Sequence, residues 1–346
     1  MTREPSLRVA AFTGGQTISS RRFRVMQYLQ PLAALGVDVH EDIARFGSWP
    51  PPQTWRRPFW LAATLVDRVA PLLRSHTYDL SLFQRELVST LCTLERFSGR
   101  PRVLDVDDAV WLSNRRAFNS FSRLARQCDA VICGNQYIAD AVQPWNARTL
   151  ILPTAVDTVR FSPAAHRPSG RAVIGWSGLH SGAKYLLGIE QALFKVLSQR
   201  PDAVLRVVSD ARPAFRWLTD SMVEYIRWSP ENEVKTIQEM TVGLMPIDDT
   251  EWSRGKCSYK MLLYMACGVP VVVSPFGMNN EVLAHGDVGM GALGTDDWTD
   301  KINWLLDHPD QARAMGANGS QVVADHYSLA SLAPRMAGFL REVAFQ

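Results

Sequence analysis

The strongest constraint on the fold is an alternation that runs the length of the chain and restarts once. Short apolar runs of strand length are separated by segments whose apolar residues recur every three or four positions. The first run is LRVAAF (7–12), followed by the loop TGGQTISSRRFR and an amphipathic segment, FRVMQYLQPLAALG, closed by Gly36. VDVHEDI, YDLSLFQ, PRVLDVDD and DAVICGN read as further strands, and QYIADAVQPW as the next helix. FSPAAHRPSGR (161–171) has the composition of a linker. The pattern then begins again with AVIGWSG as a strand and Gly turn, KYLLGIEQALFKVLSQ as a helix, AVLRVVSD as a strand, ENEVKTIQEM as a helix and VGLMPI as a strand. TDDWTDKINWLLDHPDQARAMGANG and SLASLAPRMAGFLREVAF read as late helices. Strands alternating with helices make a parallel sheet covered on both faces. The expectation is an α/β chain of two doubly wound, Rossmann-like domains, 1–163 and 170–327, with 328–346 as a final helix. Ligands of such sheets bind beyond the carboxyl ends of the strands, and two sheets facing each other would leave a cleft between the domains.

Composition narrows the functional classes. A chain of 346 residues suffices for two ordinary domains. A net charge of +3 argues neither for nucleic acid nor for a strongly anionic partner. The five cysteines, Cys92, Cys128, Cys133, Cys257 and Cys267, have no zinc spacing and no C-x-x-C, so a reduced, cytoplasmic setting is expected. MTREPSLRVAAFTGG lacks the apolar core of a signal peptide, and no apolar run approaches a membrane span of about 20 residues.

Lysine is rare and its placement is informative. It occurs only at 184, 195, 235, 256, 260 and 301. Two of these open the stretch RGKCSYKMLLYMACGVPVVVSP (254–275), where Arg254, Lys256 and Lys260 precede an apolar run broken by Gly268 and Pro270 and followed by Val271–Val273. A helix dipole favours anions at its N-terminus, not cations. Lysines there make sense if a bound anion lies between them and the helix, with chance placement as the alternative. The region 46–75 also stands out: Trp49, Trp55, Phe59 and Trp60 surround Arg56 and Arg57 after three prolines. Such a surface suits a membrane interface or a lipid-carrying acceptor. A loop and helix packed on the first domain, with the aromatics in its core, fits the same residues.

GKCSYKMLLYMACGVPVVVSPFGMNNEVLAHGDVG resembles the nucleotide-sugar signature of glycosyltransferase family 4, of the GT-B fold, in the subgroup that reads G-K-x-x-x-K-x-x-x-Y-M-A-x-G-x-P. SSRRFR, VLDVDDAVW, CDAVICGNQYIA, LPTAVDTVRFSP, IGWSG and VGLMPI follow the same subgroup in the same order. The resemblance implies a retaining, metal-independent transferase with no cofactor. It would move a sugar from a nucleoside-diphosphate donor, bound mainly by the C-terminal domain, to a glycan or lipid-linked acceptor at the N-terminal domain. It also implies that the last helix crosses back to the first domain.

Two departures from the family pattern bear on chemistry. The family's two glutamates, eight residues apart, fall on Gly255 and Leu263, so carboxylate recognition of the ribose is absent. The Arg expected after the first Gly of the second domain is replaced by Leu179 and His180 in SGLHSGAKYL, leaving Lys184 as the cation of that turn. Lys256 and Lys260 are then expected to supply part of the missing positive charge.

Breaking a sugar–diphosphate bond develops negative charge on the leaving phosphate, which fixed cations and backbone N–H groups must stabilise if no metal does. Lys256 and Lys260 are the expected catalytic cations, flanking a helix that starts near Ser258. Ser177 and Gly178 end a strand where backbone can approach phosphate, and Lys184 opens the next helix. Gly14, Gly15, Arg22 and Arg24 form a loop that is not G-x-G-x-x-G, so no dinucleotide fingerprint is present. On the GT-B reading the loop touches the donor. Arg22 and Arg24, two residues apart, cannot share a helical face, so one binds substrate and the other anchors. Asp107 and Asp108 end VLDVDD and are candidates for holding acceptor hydroxyls or lying near the reacting carbon, with a cap or salt bridge as the structural alternative. The resemblance places Met278, Asn279, Asn280 and Glu281 beside the donor. His180 and His285 have no partners at metal spacing. Two rivals remain at this level: a catalytically silent nucleotide-sugar-binding or assembly protein, and a nucleotide-dependent oxidoreductase, which the missing fingerprint argues against.

Overall fold

A computed structural model describes residues 6–16, 18–165 and 170–345. Thr17 of the first loop and 166–169 of the linker-like stretch lie outside the described residues. The chain forms two compact units, each described below by itself.

The first unit comprises the described residues up to Ala155 together with Gly255–Cys257 and those from Leu329. Its elements run β1 (Leu7–Thr13), α1 (Ser19–Arg24), α2 (Leu29–Ala34), β2 (Val37–Ile43), α3 (Arg57–Arg74), β3 (Leu80–Gln84), β4 (Arg102–Val106), α4 (Arg115–Gln127), β5 (Ala130–Cys133), α5 (Gln136–Val142) and β6 (Thr149–Ile151). The sheet is parallel throughout, in the order β2-β1-β3-β4-β5-β6. Val9 is level with both Val39 and Leu80. Strand order reverses between β1 and β3, so their carboxyl ends mark the switch point of this sheet. The segment expected as one helix after β1 is two short ones. Val25 leaves the helical region at φ −126°, and α2 restarts with Pro31 in its first turn, where a missing N–H costs least.

The second unit begins at Val156 and contains β7 (Ala172–Ser177), α6 (Ala183–Gly188), α7 (Glu190–Gln199), β8 (Ala203–Ser209), β9 (Val223–Arg227), α8 (Glu233–Gln238), β10 (Val242–Met245), α9 (Glu251–Arg254), α10 (Tyr259–Ala266), β11 (Val271–Val273), α11 (Met278–Leu283), β12 (Gly289–Gly291), α12 (Gly294–Asp307) and α13 (Pro309–Val322). Its parallel sheet has the order β12-β11-β10-β7-β8-β9, with the switch point between β7 and β10. The helix expected over 184–199 breaks at Ile189, just after Gly188. Trp176, Leu193, Leu205, Leu244, Val272 and Ile302 are buried in its core.

The last helix, α14 (Leu329–Phe345), belongs to the first unit. Leu332, Met336, Phe339, Leu340 and Val343 pack with Leu7, Val9, Leu32 and Leu82 in one core. Each such side chain is worth roughly 1.5–3 kcal/mol relative to exposure, so the helix is held by burial and not by propensity alone.

Candidate functional site

In the second unit the residues of interest collect where β7 and β10 end. Tyr264, on the buried face of α10, packs its ring against Gly243 of β10; a Cβ there would lie 2.6 Å from the ring. Its hydroxyl accepts a 2.7 Å hydrogen bond from the Ser177 N–H at the end of β7. Burial pushes the Tyr264 phenol well above its ordinary pKa, so it stays neutral. The Gly178 N–H donates to the Val208 carbonyl at 3.0 Å. Both backbone amides expected to meet phosphate are therefore engaged inside the unit. Gly178 has a different use. A Cβ at this position would fall 2.7 Å from Cε and 2.8 Å from Nζ of Lys260. The missing side chain makes room for Lys260, whose ammonium lies 5.0 Å from the centre of the Trp176 ring.

Lys260 stands in the first turn of α10, at the positive end of the helix dipole. Ser258 before it takes a left-handed conformation, φ 49°, and is 2 % exposed. Its hydroxyl donates to Asn279 Oδ1 at 2.7 Å, and Asn279 Nδ2 donates to the Ser274 carbonyl at 2.9 Å. Asn279, expected beside the donor, is a fully buried clamp between the loop after β11 and the start of α10. The backbone N–H groups of Asn279 and Asn280 close local turns onto Phe276 and Gly277. Gly277 is at φ 52°, and a Cβ there would lie 2.9 Å from Arg254 Cα, so only glycine fits. Met278 is buried, while Asn280 and Glu281 are exposed.

Lys184 opens α6 with its ammonium 4.7 Å from the centre of the Tyr185 ring. Tyr185 Oη and Ser253 Oγ are 3.2 Å apart, and Ser253 Oγ donates to Asp248, which also accepts from Thr250 Oγ1 at 2.9 Å. Burial alone would raise the Asp248 pKa, but these hydroxyls and the Lys184 charge hold it below the ordinary carboxylate value. Lys184, Ile247, Asp248, Phe276, Leu293 and Trp298 line a cavity of about 340 Å³ beyond the carboxyl ends of β10, β11 and β12. Lys184, and Asp248 just after LMPI as a turn or sugar-side acid, are legible in the sequence; the other lining residues are not, because no spacing links residues from four separate segments.

In the first unit the three acids of VLDVDD divide between two arginines. Asp105, inside β4, is 1 % exposed and bound by Arg24, with Nη2–Oδ2 at 2.8 Å and Nε–Oδ1 at 3.0 Å. Arg24 Nη1 donates to the Leu152 carbonyl at 2.8 Å. Burial penalises the guanidinium, yet the Asp105 charge keeps its pKa above the ordinary value. The donor contact expected of Arg24 is corrected: at 1 % exposure it is an internal ion pair. Arg21 anchors the same loop through Glu41 at 2.5 and 2.7 Å, and Arg22 is half-buried with its guanidinium 4.9 Å from the Phe23 ring. Gly14 packs on Ser48, whose hydroxyl donates to the Gly14 carbonyl at 3.1 Å. Gly15 lines a cavity of about 550 Å³ with Gln16, Ile18, Arg45 and Trp49.

Asp107 and Asp108 follow β4, and both accept from Arg85 Nη2, at 2.6 and 3.0 Å. Arg85, at the carboxyl end of β3, is a non-glycine residue at φ 66°, a strained conformation of the kind that clusters at functional sites. Sequence reasoning missed it; the available signal was a cation directly after the buried run LSLFQ. Burial would raise the Asp107 pKa, but Arg85 and then Arg24 pull it below the ordinary carboxylate range. Asp108 is raised by burial and by the neighbouring Asp107 charge, with Arg85 and Lys256 opposing. The pair therefore holds one firmly ionised carboxylate and one that protonates more readily.

Lys256 belongs to this unit, with Gly255 and Cys257. Asn135 Nδ2 donates to the Lys256 carbonyl at 3.0 Å, and Cys257 Sγ donates to the Asp107 carbonyl at 3.0 Å. A Cβ on Gly255 would lie 2.4 Å from the Ala109 Cβ, so no glutamate fits there. α10 starts at Tyr259 with Ser258 as its N-cap, close to the start expected, so Lys256 precedes that start and Lys260 follows it; Lys256 groups with the first unit and Lys260 with the second.

Residues 171–308 match the family model described as glycosyl transferases group 1. A comparison with curated proteins gives no match. Among solved structures, sucrose-phosphate synthase from Thermosynechococcus elongatus is similar at 16 % identity and TM-score 0.71, covering 97 % of this chain and 98 % of that one. Anabaena HepE, solved in complex with UDP-glucose, is similar at 13 % identity and TM-score 0.72, covering 97 % and 100 %. A glycosyltransferase from Rickettsia africae is similar at 12 % identity and TM-score 0.69, covering 98 % and 99 %. These likenesses establish the fold: two Rossmann-like parallel sheets of the GT-B type. Among the described residues no group of three or more His, Cys, Asp or Glu is placed to hold a metal ion.

Proposed function

We propose that this chain is a glycosyltransferase that moves a sugar from a nucleoside-diphosphate sugar to an acceptor hydroxyl, with retention of configuration, in polysaccharide or glycoconjugate assembly. One observation carries the reading. The family-model match, 171–308, covers most of the unit in which Lys260 and Lys184 stand beyond the carboxyl ends of the strands. In this reading the leaving diphosphate is stabilised by those ammonium groups and the N-terminus of α10, without a metal ion. The cavity beside Lys184, with Phe276 and Trp298, takes the flat nucleobase. HepE was solved with UDP-glucose, which makes a uridine-diphosphate sugar the first donor to try. Asp107, held ionised, and Asp108 bind acceptor hydroxyls in the first unit, in a cytoplasmic setting consistent with five free cysteines.

A panel of nucleoside diphosphates and nucleotide sugars tests this by thermal shift. A ligand at 100 times its Kd stabilises the folded chain by about 2.7 kcal/mol. We expect one nucleotide family to raise Tm and its sugar conjugate to be hydrolysed slowly by the purified protein. No shift from any nucleotide at millimolar concentration refutes the proposal. The packing of Gly255 against Ala109, which excludes the family's glutamate, favours a second reading as a silent nucleotide-sugar-binding protein. That reading predicts the shift without hydrolysis or transfer.

A further inference from the structure

Helix α3 is turned inside out. The residues it buries are Thr64, Arg68 and Leu72. Arg68 donates to the carbonyls of Asp42 and Thr13 at 2.8 and 2.5 Å. The opposite face carries Phe59, Ala62, Val66, Val69 and Leu73, spaced by three and four residues and all exposed. Phe59 and Val66 are 73 % exposed and Leu73 is 66 % exposed. A surface helix of a soluble domain normally turns such a stripe to the core. From Phe59 to Leu73 the stripe is about 21 Å long, on a helix of 18 residues. Phe46, Trp49 and Trp55, each more than half exposed, extend it at the N-terminal end.

Charge selects the occupant. Of the cations in 45–74, Arg68 is buried, Arg45 pairs with Asp67 and Arg74 with Asp42, so the net positive charge of the exposed surface comes from Arg56 and Arg57. Arg56 and Arg57 are exposed beside the aromatic end, with Arg56 lying 5.0 Å from the Trp55 ring. A second copy in parallel pairing would set Arg56 and Arg57 against their own counterparts. An anionic bilayer complements both features at once: tryptophan and arginine at headgroup depth, and an apolar stripe at the acyl boundary. We propose that α3 with the preceding 46–56 segment is an interfacial anchor that lays the first unit on a membrane surface rich in anionic phospholipid. Such anchoring is independent of whether the chain transfers sugars.

The full chain is tested by co-sedimentation with phosphatidylcholine vesicles, with and without about a third phosphatidylglycerol. We expect at least about 10-fold stronger partitioning onto the anionic vesicles, weakened by salt. Val66→Asp with Leu73→Asp should lower it by about 10-fold or more with an unchanged Tm, because both side chains are exposed. Arg56→Gln with Arg57→Gln should remove the preference for the anionic lipid. Sedimentation velocity without vesicles gives the competing outcome. Absence of partitioning, unaltered partitioning of the aspartate variant, or a dimer that the aspartate variant dissociates would each overturn the proposal.

Discussion

Replacing Gly178 with alanine isolates the position of the Lys260 charge from its presence. The new Cβ would lie 2.7 Å from Lys260 Cε, 2.8 Å from its Nζ and 2.9 Å from Trp176 Cζ2. Carbon contacts settle near 3.5–4.0 Å, so one side must move by on the order of 1 Å. Trp176 is 1 % exposed and locked in the core, so the lysine arm gives way. A misplacement of about 1 Å in a catalytic group costs about 10²-fold, and losing one transition-state donor about 10²–10³-fold. Lys260→Met should therefore cost at least as much as Gly178→Ala. The double variant should cost catalysis no more than Lys260→Met alone, because no ammonium is left for the alanine to displace. The coupling energy then equals the Gly178→Ala effect, about 2.7 kcal/mol for a 10²-fold loss. The assay is kcat/KM for hydrolysis or transfer with the nucleotide sugar that shifts Tm most. Folded fraction is checked first, since the Trp176 contact adds an overpacking cost of about 1–3 kcal/mol. Losses that multiply to about 10⁴-fold, or a wild-type rate for Gly178→Ala, would refute the idea that Gly178 exists to seat Lys260.

Two further outcomes follow from the first unit. Arg24→Met leaves Asp105 as an uncompensated buried charge and should lower unfolding free energy by about 3–5 kcal/mol in urea, while Arg24→Met with Asp105→Leu should recover most of it. Asp107 has a native pKa below its unfolded value because of Arg85, so its contribution is full above the unfolded pKa of about 3.9 and is lost as pH falls through the native one. The stability gap between wild type and Asp107→Asn should accordingly be flat from about pH 7 to 5 and narrow below about pH 4; a gap that widens on acidification contradicts the Arg85 pairing.

What the sequence disclosed and what it hid divide along physical lines. β2, at Val37–Ile43, has the limits expected of it, and the central strands lie within their apolar runs because parallel strands are buried on both faces. The strands that escaped notice, Thr149–Ile151, Val223–Arg227 and Gly289–Gly291, all lie at sheet edges, where half-buried residues leave no apolar run. The site follows the same logic one level up. Lys260 was legible because its spacing within the signature is local. The reasons for Gly178, Arg85 and Asn279 were not, because each answers a partner brought near by the fold. Lys256 and Lys260 illustrate the limit most sharply. Four residues apart, they would share a face if the helix began before them. Ser258, left-handed and bonded to Asn279, delays the helix to Tyr259 and lets Gly255–Cys257 pack with the first unit. The same Gly255 that meets Ala109 closes the position where the family carries an acid. Bringing the Lys256 charge to Asp108 and losing that glutamate are therefore consequences of one backbone path.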